Sequence, residues 1–250
     1  MRSRAVPAPL AAALLLSGCG GSTGGDPGGT LTVFAAASLT DVLTELGETL
    51  ESRQPGLEVR FNFAGSSALA AQVVQGAPVD VFASADDRQM QVVTDAGLAS
   101  GAEVFAANEL VLAVPEGNPA GVTGPADLAR EDLAVALCAP EVPCGAAAER
   151  VLAAAGVTAR PDTYEEDVRA ALTKVELGEV DAALVYVTDA AARPGSVDAV
   201  EVPEAGVAVN EYPVCVLDDA PNPRAAQAFV DLLLSGEGRR VLADAGFMAP

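Results

Sequence analysis

A short β-forming run followed at once by a one-sided helix is the feature that most restricts this chain. Leu31-Thr32-Val33-Phe34-Ala35 is rich in β-branched and aromatic side chains, and Leu39, Val42, Leu43, Leu46 and Leu50 then recur at helical spacing along one stripe. The pattern repeats. Residues 59–64 read as a strand, 68–75 as a helix closed by Gly76, 79–83 as a strand and 87–96 as a helix. A second set follows, with strands at 110–114, 133–137 and 182–187 and helices at 146–155 and 168–177. Such alternation predicts α/β layers around mainly parallel sheets. A strand at 212–217 precedes two helical stretches, 224–234 and 237–245, that have no later strand to join and so pack back on the first half. The expected organisation is two α/β lobes: lobe 1 from 30–111 and 214–250, lobe 2 from 112–213. Two crossings, near 111–114 and 211–216, form a two-stranded hinge. A ligand belongs in the cleft between lobes.

Composition narrows the chemistry. Half of the 250 residues are hydrophobic, enough for real cores, while 35 acidic residues against 14 basic ones leave a net charge of −21. Lys174 is the one lysine, so nucleic acid is excluded as a partner on electrostatic grounds, and an anionic membrane surface is disfavoured. The chain has no histidine. That removes Ser-His-Asp and Cys-His catalysis and imidazole-bearing zinc sites.

At the start, Arg2 and Arg4 precede an apolar stretch from Ala5 to Leu16 that is too short to span a bilayer and suits the core of a signal peptide. It ends Leu16-Ser17-Gly18-Cys19, which resembles the bacterial lipobox. The expectation is a lipoprotein signal peptide over 1–18, lipidation at Cys19, and a glycine-rich tether over 19–29 that holds the folded body near the membrane. Loss of Arg2 and Arg4 takes the net charge to −23. The mature protein would then be extracytoplasmic, in an oxidising compartment. Of the remaining cysteines, a Cys138–Cys144 bridge would close a short loop, with Cys138–Cys215 as the alternative; an odd number leaves one unpaired.

Four helix beginnings carry the informative chemistry. Ser38 precedes the first helix with Asp41 three residues on, a capping-box spacing; Gly65-Ser66-Ser67, Pro143-Cys144-Gly145 and Asp167-Val168 open the others. Free N–H groups and the positive end of the dipole make helix starts attractive to anions, and four aimed at one cleft form an anion cage without lysine or arginine. Spacing alone does not show that they converge. The run Glu165-Glu166-Asp167 reads as a cap for the helix that follows, not as a cation site.

Taken in order, Thr32-Val33-Phe34-Ala35-Ala36-Ala37-Ser38-Leu39-Thr40, Gly65-Ser66-Ser67, the segment from Gly76 to Asp86 (GAPVDVFASAD), Glu166-Asp167-Val168-Arg169 and Val185-Tyr186-Val187-Thr188-Asp189-Ala190 resemble the periplasmic molybdate-binding proteins of ABC importers. Glu211-Tyr212-Pro213-Val214 and Gly246-Phe247 extend the similarity to the end of the chain. The resemblance implies a two-lobed type II periplasmic-binding-protein fold and no enzymatic activity. It implies capture of molybdate, or tungstate, as a tetrahedral oxyanion. No cofactor is implied and no metal beyond that in the oxyanion; the partner is a membrane ABC permease, and the protein is a monomer. Carried over residue by residue, it implies that Ser38 and Ser66 donate from lobe 1 through hydroxyl and N–H, Cys144 and Val168 from lobe 2 through backbone N–H, and Tyr186 through its phenol. Cys144 stands where the family more often has alanine, which a backbone donor tolerates. Two other readings stay open: a sulfate or other oxyanion receptor of the same fold, and an envelope hydrolase using Ser38 or Ser66 as nucleophile with Lys174 as base.

Overall fold

The computed structural model describes residues 28–250. The expected signal peptide, the lipidation at Cys19 and the tether up to residue 27 lie outside the described residues. Gly29, assigned to the tether by sequence, already pairs with Leu57 and begins the first strand.

Eighteen principal elements follow one another as β1 (Gly29–Ala36), α1 (Thr40–Arg53), β2 (Leu57–Ala64), α2 (Ser66–Val74), β3 (Val81–Ala83), α3 (Asp87–Asp95), β4 (Glu103–Asn108), β5 (Leu110–Pro115), β6 (Val135–Cys138), α4 (Pro143–Ala155), β7 (Thr163–Glu165), α5 (Val168–Glu176), β8 (Ala182–Tyr186), α6 (Val187–Ala191), β9 (Val197–Val200), β10 (Asn210–Val216), α7 (Pro223–Leu234) and α8 (Gly236–Asp244). They build two five-stranded sheets, ordered β2-β1-β3-β10-β4 and β7-β6-β8-β5-β9. In the first, only β10 runs against its neighbours; in the second, only β5 does. Both exceptions are strands that have just crossed from the other lobe. They start at the cleft and run away from it, whereas the remaining strands run toward it and deliver their C-terminal ends there.

The crossings fall earlier than 111–114 and 211–216. Leu110 already pairs with Tyr186 of β8 and Asn210 with Asn108 of β4, while Val202, Ala205 and Ala208 still pack in the lobe 2 core, so the chain changes lobe at Glu109 and again at Val209. Lobe 1 is therefore 29–108 with 210–250, and the segments first read as hinge are strand interiors. Asn108 and Asn210 lie opposite each other at the point of crossing.

Burial explains the elements that periodicity predicted. The α1 stripe Val42, Leu43, Leu46 and Leu50 is buried against Leu31, Val33 and Ala35 of β1 and Phe229 of α7, while Phe34 faces the opposite side with Leu69, Val73 and Phe82. Fully burying one such side chain contributes about 1.5–3 kcal/mol. Lobe 2 has its own core around Leu112, Val135, Val151, Leu172 and Leu184. Four elements went unread: β4, β7, β9 and α6. The last three have only three to five residues, too few for a period to show, and β4 is Glu-Val-Phe-Ala-Ala-Asn, whose alanines blur the alternation.

Cys138 at the end of β6 is bridged to Cys144 in the first turn of α4, with Cα atoms 5.7 Å apart. Beside it, Gly145 lies against the Ala139 carbonyl so tightly that a Cβ would stand 1.9 Å from the oxygen. Cys215 is free and buried, its thiol pushed up to about 12 by burial. Alkylation followed by mass spectrometry checks this arrangement. Native protein should show none of Cys138, Cys144 and Cys215 modified, and protein unfolded without reductant should show Cys215 alone; modification of all three would contradict the bridge.

Candidate functional site

The strand ends of both lobes meet around one small cavity. Lobe 1 lines it with Ala36, Ala37 and Ser38 beyond β1, Ala64, Gly65 and Ser66 where β2 turns into α2, and Ala85 after β3. Lobe 2 adds Val142, Pro143 and Cys144 at the start of α4, Asp167 and Val168 at the start of α5, and Tyr186 at the end of β8. All five residues singled out by sequence, Ser38, Ser66, Cys144, Val168 and Tyr186, stand on this wall. The space these residues enclose is small, on the scale of one water molecule.

Helix starts supply the N–H groups. Gly65 precedes α2 and Val142 precedes α4, and neither offers a side-chain cap, so the first-turn amides of both helices have no intrahelical partner. Asp167 does cap α5, but its carboxylate accepts from Arg169 and Ala170 and leaves the N–H of Val168 over. Ser38 departs from expectation. It sits in a 3-10 turn, Ala37–Leu39, with Leu39 as the residue before α1, and no capping box with Asp41 forms. Its hydroxyl lies 3.0 Å from the Tyr212 phenol instead, a partner 174 residues away that local spacing does not reveal.

Each hydroxyl on the wall has its oxygen engaged from behind. Ser66 Oγ accepts from the Ala85 N–H at 3.0 Å. Tyr186 Oη accepts from Asn210 Nδ2 at 3.0 Å, and the same amide donates to the Ala85 carbonyl at 2.7 Å. When Tyr212 donates to Ser38, that serine is left in the same state. With one lone pair taken, the Ser66 O–H can point into the cavity as a donor, while the Tyr186 O–H has the Tyr212 phenol as a second acceptor besides whatever the cavity holds. Burial raises the Tyr186 and Tyr212 phenols above the usual tyrosine range, so both stay protonated at any physiological pH. Sequence reasoning assigned no role to Asn210 or Tyr212. The available signal was an asparagine beside strand-like apolar residues, and Tyr212 within a string noted only for its family likeness.

No arginine or lysine lines the cavity. Lys174 is held on the surface, 3.2 Å from Glu179 and 3.8 Å from Glu165, and cannot serve Ser38 or Ser66 as a base. Arg169, next to Val168, turns away toward Asp41 at 2.6 Å and the fully buried Asp189 at 2.7 Å, the second contact being close without hydrogen-bond alignment. Burial pushes the Asp189 carboxyl up to about 6, against the pull of Arg169. The lobes touch directly: a Cβ on Gly65 would stand 2.4 Å from the Glu166 carbonyl across the cleft, although the Gly65 backbone, at φ −59°, accepts any residue. Among the described residues, no group of three or more Cys, Asp or Glu side chains could hold a metal cation. The arrangement can grip a small anion through neutral donors, without a nucleophile–base pair.

Comparison with known proteins agrees with this geometry. A family profile described as bacterial extracellular solute-binding protein matches residues 31–248. The molybdate-binding protein ModA of Mycobacterium tuberculosis is 42% identical over 96% of this chain and 97% of its own length. YvgL of Bacillus subtilis, whose name describes a substrate-binding lipoprotein of an ABC transporter, is 34% identical over 97% of this chain and 96% of its own. The structure of the periplasmic molybdate-binding protein of Azotobacter vinelandii superposes with a TM-score of 0.73 at 23% identity, over 88% of this chain and 99% of that one, which establishes the shared fold.

The raised Asp189 pKa has a measurable consequence. For an acid whose folded pKa exceeds its unfolded value, ionisation costs stability; the cost is absent below about pH 4 and complete above about pH 6. The unfolding free energy of Asp189→Asn relative to the parent should therefore rise by about 2–3 kcal/mol between about pH 4 and pH 7 in chemical denaturation. A pH-independent difference would contradict the assigned shift.

Proposed function

The chain belongs to the bacterial extracellular solute-binding protein family, and on that premise we propose that it captures molybdate, or tungstate, outside the cell membrane, closes around it and presents it to an ABC permease. The observation that carries the reading is the meeting of Ser38 and Ser66 from one lobe with Cys144, Val168 and Tyr186 from the other around a cavity of one-group size. Relatives named as molybdate-binding proteins support the choice of oxyanion.

Neutral donors suit this ligand for two reasons. A dianion accepts hydrogen bonds at every oxygen, each contributing about 1.5–3 kcal/mol when one partner is charged. A protonated oxyanion presents an O–H that finds few acceptors on such a wall, where the carboxylate of Asp167 already holds the helix start through Oδ1. The acidic surface opposes approach only weakly: at physiological salt the Debye length is about 8 Å, while the donors act at contact. Sulfate shares the charge and shape but is smaller, so cavity size is what discriminates. In this reading the protein is a monomeric binder without turnover or cofactor, held at the outer face of the membrane by the lipid at Cys19. No helix of the described residues is long and apolar enough to cross a membrane.

Calorimetry against molybdate, tungstate, sulfate and phosphate tests the proposal. Molybdate and tungstate should bind at micromolar dissociation constants or tighter with the other two weaker; equal or tighter sulfate binding would replace the reading by a sulfate receptor. Tyr186→Phe keeps the ring and loses one charge-assisted donor, so molybdate affinity should fall by about tenfold to a hundredfold. Unchanged affinity would remove the phenol from the site. Gly65→Ala adds one methyl at the lobe contact. The dissociation constant should rise at least about tenfold while the ligand-free melting temperature stays put, since only the closed arrangement has the Glu166 carbonyl in the way; parallel loss of both would assign Gly65 to folding instead.

A further inference from the structure

Three residues of the ion cluster beside the cavity each follow a proposed donor closely in sequence. Asp41 comes three residues after Ser38, Arg169 directly after Val168, and Asp189 three after Tyr186. The cluster therefore ties together the three elements that carry those donors: the turn into α1, the start of α5, and the segment from β8 into α6. We propose that Asp41 and Arg169, the latter anchored by Asp189, form a latch between the lobes that sets how long the bound oxyanion stays. This rests on the oxyanion-binding reading given above.

The geometry distinguishes a latch from an ordinary surface pair. Arg169 and Asp189 belong to lobe 2, and the Arg169 side chain is mostly buried, at 16% exposure, with Nε 2.7 Å from Asp189. Its Nη2 reaches across to Asp41 of lobe 1 at 2.6 Å. Arg193, which Glu176 holds at 3.1 Å, brings a second guanidinium to within 3.8 Å of the same Asp41 carboxylate. Separation of the lobes takes Asp41 away from both arginines, while the pairs within lobe 2 survive. Asp41 is thus a charged group whose ion-pair partners exist only when the cleft is shut. Its side chain is half exposed, so replacing it unpacks no core. Elsewhere at the lobe contact the bonds run to a neutral acceptor, Arg88 and Gln89 both donating to the Glu141 carbonyl. A carboxylate bridged by two guanidiniums responds to salt more strongly than such a contact does.

Arg169 and Asp41 are positioning residues: neither lines the cavity wall beside Cys144 and Tyr186. Their contribution should fall on release rather than capture, because the latch forms only after the ligand is enclosed. Stopped-flow measurement on Asp41→Asn, using whichever of molybdate, tungstate, sulfate and phosphate binds the parent, reads the two rates separately. The dissociation rate should rise by about tenfold, the association rate should stay within about twofold, and the ligand-free melting temperature should be unchanged. Asp41→Glu, which keeps the carboxylate, should recover part of the slow release. High salt should speed release from the parent but not from Asp41→Asn. A parent that binds with an unchanged dissociation rate in Asp41→Asn would overturn the latch and leave the binding function standing; a parent that binds none of the four oxyanions would overturn both.

Discussion

A small set of N–H and O–H groups, each with its other valences already satisfied, is the constraint to which the rest of this structure answers. A buried donor without an acceptor costs about 1–3 kcal/mol, so a cavity lined by several is stable only if the protein supports them from behind and an acceptor arrives in front. The support is visible: the Ala85 N–H on Ser66, Asn210 on Tyr186, and Asp167 on the two amides beyond Val168, with the Tyr212 phenol in hydrogen-bond contact with Ser38. The sheets exist in the form they do because those groups must converge. Strands run toward the cleft, α1 to α6 start there, and only β5 and β10 run the other way, because they are the chain's returns from the opposite lobe.

How far residue patterns reach is set by range. The α1 stripe was readable because burial on one face of a helix writes a period of 3.6 into adjacent residues, and the helix starts were readable because serine and glycine mark them locally. The convergence of those starts was not. Ser38 finds Tyr212 at a separation of 174 residues and Tyr186 finds Asn210 across the hinge, relations that no window of sequence contains. Family likeness supplied the five wall residues that spacing alone could not gather. It did not supply the layer behind them, nor correct the crossings, which fall at Glu109 and Val209 because pairing in the sheets begins at Leu110 and at Asn210.

Charge enters at two scales and in opposite senses. Over the whole molecule the excess of carboxylates repels an anion, yet screening confines that repulsion to short distances. At the cleft, Arg169 and Arg193 are engaged by Asp41, Asp189 and Glu176, and no arginine lines the cavity. On the proposed reading, recognition is left to dipoles and charge is reserved for holding the lobes together. The disulfide between Cys138 and Cys144 fixes the start of α4, where the proposed Cys144 backbone donor stands.

The central claim is that backbone amides from lobe 2 bond directly to the oxygens of the captured anion. Proton–nitrogen correlation spectra of the isotopically labelled protein, recorded before and after saturation with molybdate, test it at the atoms concerned. The Cys144 and Val168 amide protons should move downfield and become protected from exchange in the complex. Shifts confined to other parts of the molecule, with these two resonances unmoved, would contradict the claim.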